Sequence, residues 1–62
     1  MTKAEAIAAM REGKKVRHRY FSDDEYITVK NFELIDEKGY HLRDFWLYRK
    51  THDWESDWSV VD

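Results

Sequence analysis

The chain has 62 residues, no Cys and no Pro, with 42% hydrophobic and 39% charged residues and a formal net charge of -2. That length supports a single domain, residues 1–62, because so short a chain buries only about 60% of its unfolded surface. Without Cys, disulfide staples and thiolate metal sites are excluded, and the slight acidity disfavours a nucleic-acid partner, whose phosphates call for a basic surface.

Three Trp, four Tyr and three Phe supply much of the apolar material. Aromatic side chains bury the most area per residue, so close ring packing and self-association into a homo-oligomer are the expected sources of stability. No stretch approaches the roughly 20 apolar residues that span a membrane. The opening Met1-Thr2-Lys3-Ala4-Glu5 carries no apolar run of the secretory kind, which leads us to expect a cytoplasmic protein.

Thr2 followed by Glu5 has the pattern of a capping box and predicts a helix over residues 3–12. Ala4, Ala6, Ala8 and Ala9 favour it, Ile7 and Met10 share a face, and Gly13 offers the left-handed stop. From Lys14 to Phe21 the pattern alternates as in a strand, with Val16, His18 and Tyr20 on one face and Lys15, Arg17, Arg19 and Phe21 on the other. Ser22, Asp23 and Asp24 make a turn into a second strand, Glu25 to Lys30. Asn31 turns the chain before a third, Phe32 to Asp36, and Glu37-Lys38-Gly39 connects to Tyr40 to Leu42. Arg43 to Lys50 reads as a helix capped by Asp44, although Phe45 to Tyr48 also suits a buried strand. Thr51 to Asp57 is a polar loop and Trp58 to Val61 a final strand. The predicted class is α+β, with an N-terminal helix packed on a small antiparallel sheet in the order α-β-β-β-α-β.

Few residues suggest a reaction. His18, His41 and His52 are too dispersed for a metal signature, and Asp23, Asp24 and Glu25 read as solvated turn carboxylates. Ser22, Ser56 and Ser59 lack a nucleophile motif, and Gly13 and Gly39 cannot make a phosphate-cradling loop. We expect no enzyme, no cofactor and no metal.

A binding chemistry is better represented. Arg11, Lys14, Lys15, Arg17 and Arg19 crowd one window, balanced by Asp53, Glu55, Asp57 and Asp62 at the far end. Aromatic rings stack bases, a guanidinium pairs with phosphate oxygens, and a carboxylate accepts from hydroxyls or amines. The candidate ligand-binding residues are therefore Arg17, Arg19, Tyr20, Phe21, Trp54, Asp57 and Trp58, with Asp53 a further acceptor. The same residues also have a structural use, in which Trp46 and Trp58 form core, Phe21 closes an edge and the arginines pair with the acidic end.

Two segments carry a resemblance: Glu5-Ala6-Ile7-Ala8-Ala9-Met10-Arg11-Glu12-Gly13-Lys14-Lys15-Val16-Arg17, and Asp53-Trp54-Glu55-Ser56-Asp57-Trp58-Ser59-Val60-Val61. They resemble small phage proteins with an "EAL..L..GK.V.R..W" opening and a "D....DW.V" ending, a group that includes the Thoeris anti-defence sponges. The likeness covers residues 1–21 and 53–62; Phe21 stands where the family has its first Trp, and Asp57-Trp58 is the terminal "DW". It implies a phage-encoded protein that sequesters a nucleotide-derived immune signal, such as an ADP-ribose conjugate or cyclic ADP-ribose isomer, at pockets between subunits. On that reading Arg17 or Arg19 binds phosphate, Phe21 or Trp54 stacks the base, and Asp57 fixes a hydroxyl or amine. A similar phage protein is an anti-CRISPR, which implies the alternative of a protein-protein inhibitor of a host defence enzyme.

Overall fold

The residues that predict the first helix also fix both of its ends. In the computed structural model, which describes residues 1–61, α1 spans Lys3–Arg11. Asp62, counted above with the acidic end, lies outside the described residues. The Thr2 hydroxyl accepts the Glu5 N–H at 3.1 Å, and the Glu5 carboxylate accepts the Thr2 N–H at 2.8 Å. Both satisfy donors that a helix start leaves orphaned. At the other end Gly13, with φ of 87°, donates to the Met10 carbonyl at 2.9 Å while Lys14 donates to that of Ala9 at 3.1 Å. This paired closure needs a left-handed residue, which glycine supplies without a Cβ penalty.

Four strands follow: β1 Lys15–His18, β2 Ile27–Lys30, β3 Glu33–Asp36 and β4 Trp58–Val61. All neighbours are antiparallel, in the order β3-β2-β1-β4. Val16 pairs with Ile27 on one side and Val60 on the other, and His18 pairs with Trp58. Directly paired residues share a face. The face bearing Val16, Ile27 and Trp58 meets Ala6, Ala9 and Met10 of α1, and Phe45 completes the core. Burying Met10, Val16 and Ile27 contributes roughly 1.5–3 kcal/mol each. The opposite face carries exposed Lys15, Lys30, Glu33 and Ser59.

Side chains that capture backbone groups make several elements shorter than their pattern. β1 stops at His18 and not at Phe21, because the His18 imidazole accepts the Tyr20 N–H at 3.1 Å and its carbonyl accepts the Phe21 N–H at 2.9 Å. Those bonds turn the chain. β2 begins at Ile27 and not at Glu25, since the Glu25 carboxylate is held by the backbone N–H and the hydroxyl of Ser22. Phe32, expected to open the third strand after a turn at Asn31, is itself a turn residue: Asn31 and Phe32 have φ of 54° and 66° and form a two-residue hairpin loop of the primed type.

Residues 40–42 lie along the outer edge of β3, where Leu42 donates to the Leu34 carbonyl at 2.9 Å and Asp36 to that of Tyr40 at 3.1 Å. This cover protects a strand edge. The helix expected over residues 43–50 is only a 3₁₀ turn, Trp46–Tyr48, and Asp44 offers it a backbone carbonyl, 3.1 Å from the Leu47 N–H, with no side-chain cap. Phe45 is buried and its neighbour Trp46 packs on the core. A second 3₁₀ turn, His52–Glu55, occupies the segment expected to be loop.

Candidate functional site

His18 organises the aromatic end of the molecule. It is fully buried, with Nε2 3.0 Å from the Asp53 carbonyl oxygen and Nδ1 accepting from Tyr20 N–H. A carbonyl at one nitrogen and a donor at the other assign the proton to Nε2. Four rings surround the imidazole, with centroids at 4.3 Å for Trp54, 4.9 Å for Tyr20, 4.9 Å for Trp58 and 6.3 Å for Phe21. Their tilted and edge-on contacts are the arrangements that aromatic quadrupoles favour.

Beside this cluster lies a cleft of about 770 Å³, lined by Tyr20, Phe21, Tyr26, Phe45, Tyr48 and Trp54 among others. Small-molecule sites occupy roughly 300–1,000 Å³. One end is the ring cluster, where Phe21 and Phe45 meet at 6.1 Å and Tyr20 and Trp54 at 5.4 Å. The other end is the β2–β3 side, with Asp36, Glu37 and His41. Two of the carboxylates are already engaged. Asp36 accepts from the backbone of Lys38 and Tyr40, and Glu25 is lowered from its ordinary 4.5, first by its bonds to Ser22 and then by Arg49 and Arg17.

Arg49 stands at the aromatic end. Its guanidinium carbon is 4.0 Å from the Phe45 ring centroid and 5.2 Å from that of Trp54, and one Nη donates to the Phe45 carbonyl at 3.1 Å. Its Nε is buried with no hydrogen-bond partner among the described residues. A planar cation lying over Phe45, with Trp54 beside it and tilted 71° from that ring, is held in a restricted orientation, which a lysine cannot match.

The residues singled out from the sequence divide into three groups. Tyr20, Phe21 and Trp54 line the cleft. Trp58 is core at 2% exposure, its indole donating to the Trp54 carbonyl at 2.8 Å. Arg17, Arg19 and Asp57 lie outside the lining. One Arg17 Nη donates to the carbonyls of Phe21 at 2.9 Å and Ser22 at 3.2 Å, tying down the turn after β1. Arg19 is 3.7 Å from Asp57, and its pKa is raised by the Tyr20 hydroxyl and then by Asp57. Asp57 has φ of 70° and its carbonyl accepts the Arg19 N–H at 3.1 Å. Tyr26, Arg43, Phe45, Tyr48 and Arg49 line the cleft without having been singled out. Spacing gives no signal for Arg49: four residues after Phe45 aligns two side chains on an α-helix, whereas this segment is a 3₁₀ turn with Arg49 just beyond it.

The fold and the cleft together define a small α+β domain with a helix on a four-stranded antiparallel sheet and an aromatic recess beside it. No protein-family model, curated protein or solved structure matches the chain. Among the described residues, no helix is long and apolar enough to cross a membrane, and no three His, Cys, Asp or Glu residues are grouped to hold a metal.

Proposed function

We propose that this protein holds a nucleotide-derived small molecule in the aromatic cleft and releases it unchanged. The observation that carries this reading is the recess of about 770 Å³ whose walls are supplied by Tyr20, Phe21, Tyr26, Phe45, Tyr48 and Trp54. Flat rings stack a base with little regard to its substituents, and each stacked base contributes roughly 1–3 kcal/mol. The resemblance of the two terminal segments supplies the biological setting: a phage-encoded sponge for an immune signal of the ADP-ribose or cyclic ADP-ribose class. Tyr20 and Tyr48, 53% and 77% exposed, border the cleft and offer surface that a second copy would cover in a homo-oligomer. Calorimetric titration with ADP-ribose and its cyclic isomers tests the proposal. Saturable binding, with the ligand recovered intact by chromatography, is the expected result, and no heat from folded protein contradicts it.

A second reading, an inhibitor that docks on a host defence protein, is favoured by Phe32. This ring is fully exposed at the β2–β3 turn and sits on a left-handed backbone that a large side chain rarely adopts. Aromatic side chains that project this way act as anchors in protein interfaces. Purification from host cells separates the two readings, since an inhibitor returns with a stoichiometric protein and a sponge with a small molecule.

A further inference from the structure

We infer that Arg49 is the phosphate anchor of the cleft, so that a nucleotide binds with its phosphate at the aromatic end; this rests on the reading of the cleft as a nucleotide site.

Three observations lead there. The guanidinium is fixed in place by the Phe45 and Trp54 rings and by its bond to the Phe45 carbonyl. That bond uses one Nη, and no partner for the other Nη is found among the described residues; the Nε is shut away from the cleft, as is that of Arg17, so the second Nη is the donor left to a ligand. An oriented cation with unspent donors at the edge of a recess suits a phosphate oxygen, because charge-assisted bonds are the strong ones and a held donor loses little entropy on binding. The arginines expected from the sequence are committed elsewhere: Arg17 to the Phe21 and Ser22 carbonyls, and Arg19 to Asp57.

The far end of the cleft has the complementary chemistry. Among the described residues Glu37 makes no salt bridge, and His41 pairs with Glu33, so this end presents acceptors to ribose hydroxyls or a base amine. The lining also holds the carboxylates of Glu25 and Asp44 and the Arg43 guanidinium, and Glu25 is near enough to Arg49 for its pKa to be lowered by it, so what singles out Arg49 is its fixed orientation and not the distribution of charge along the cleft.

The test compares AMP with adenosine, which share a base and a ribose and differ in the phosphate. Wild-type protein binds AMP about tenfold more tightly than adenosine, as expected for a charge-assisted contact. Arg49→Lys lowers the preference for AMP over adenosine from about tenfold towards one, whereas Arg19→Gln keeps that preference. On the wild-type protein, inorganic pyrophosphate displaces AMP more readily than adenosine, a measurement that needs no variant to fold. Equal affinity for AMP and adenosine, or an equal loss of both in Arg49→Lys, overturns the assignment of Arg49 while the cleft reading stands. Failure of wild-type protein to bind either one overturns both.

Discussion

The Nε2 atom of His18 lies 3.0 Å from the carbonyl oxygen of Asp53, joining the end of β1 to the second 3₁₀ turn across 35 positions of sequence. The contact does more than fill space. It positions Trp54 against the imidazole at 4.3 Å, and Trp54 is a wall of the cleft. The stability of the core and the shape of the recess therefore share one residue.

Replacing that histidine by a ring of similar size separates packing from hydrogen bonding. His18→Phe leaves the Tyr20 N–H and the Asp53 carbonyl without their partner, and an unsatisfied buried group costs about 1–3 kcal/mol. We predict a loss of about 2–4 kcal/mol in urea unfolding. A loss under about 0.5 kcal/mol, the scale of an ordinary surface substitution, shows that the rings alone hold this end together.

The hairpin tip predicts a gain. Phe32 has φ of 66° and is fully exposed, so its side chain returns little burial for the strain of a left-handed backbone. That strain is of order 1–2 kcal/mol for an L-residue, partly offset by the greater unfolded freedom of glycine. Phe32→Gly is expected to stabilise the protein by about 0.5–1 kcal/mol, raising the melting midpoint by a few degrees. A lower midpoint contradicts the strain argument.

Acid sensitivity follows from two carboxylates that accept bonds near a chain reversal. Glu5 is lowered from 4.5 by the Thr2 backbone and side-chain bonds, and Glu25 from 4.5 by Ser22. Because both folded values lie below the unfolded one, their contribution is complete above about pH 4.5 and fades as the pH falls through the lowered values. The unfolding midpoint measured from about pH 6 to pH 3 should fall, with a shallower decline in Glu25→Gln. An identical slope in that variant rules out the Ser22 contact as a source of the effect.

The start of α1 gives a local test. Thr2→Ala removes the acceptor for the Glu5 N–H and should cost about 1 kcal/mol, the usual scale for a lost cap. Thr2→Ser keeps the oxygen and is predicted to be near neutral; equal losses in both variants point to the methyl group instead.

Local rules made much of this fold legible. The Thr2/Glu5 box and the Gly13 stop bound α1 because the bonds involved lie within a few residues. Alternation found the strands but overran their ends, since it cannot register a side chain that takes a backbone donor out of the ladder, as His18 does from Tyr20 and Glu25 from Ser22. Trp58 reads from the sequence both as core and as a ligand contact, and it is core because β4 pairs it with His18, while Trp54 from the preceding turn is a wall of the cleft. Arg17 and Arg19 drew attention by charge density. Arg49 is set apart by the two rings it touches, one of them from a different turn, and that arrangement exists only after folding.

The most direct measurement is an amide, indole and guanidinium NMR titration of isotope-labelled protein with AMP. The account predicts that shifts concentrate on Tyr20, Phe21, Phe45, the Trp54 indole and the Arg49 Nε–H, while the buried Trp58 indole moves little. Shifts confined to Arg17, Arg19 and Asp57, or a spectrum that does not change at saturating nucleotide, would contradict it.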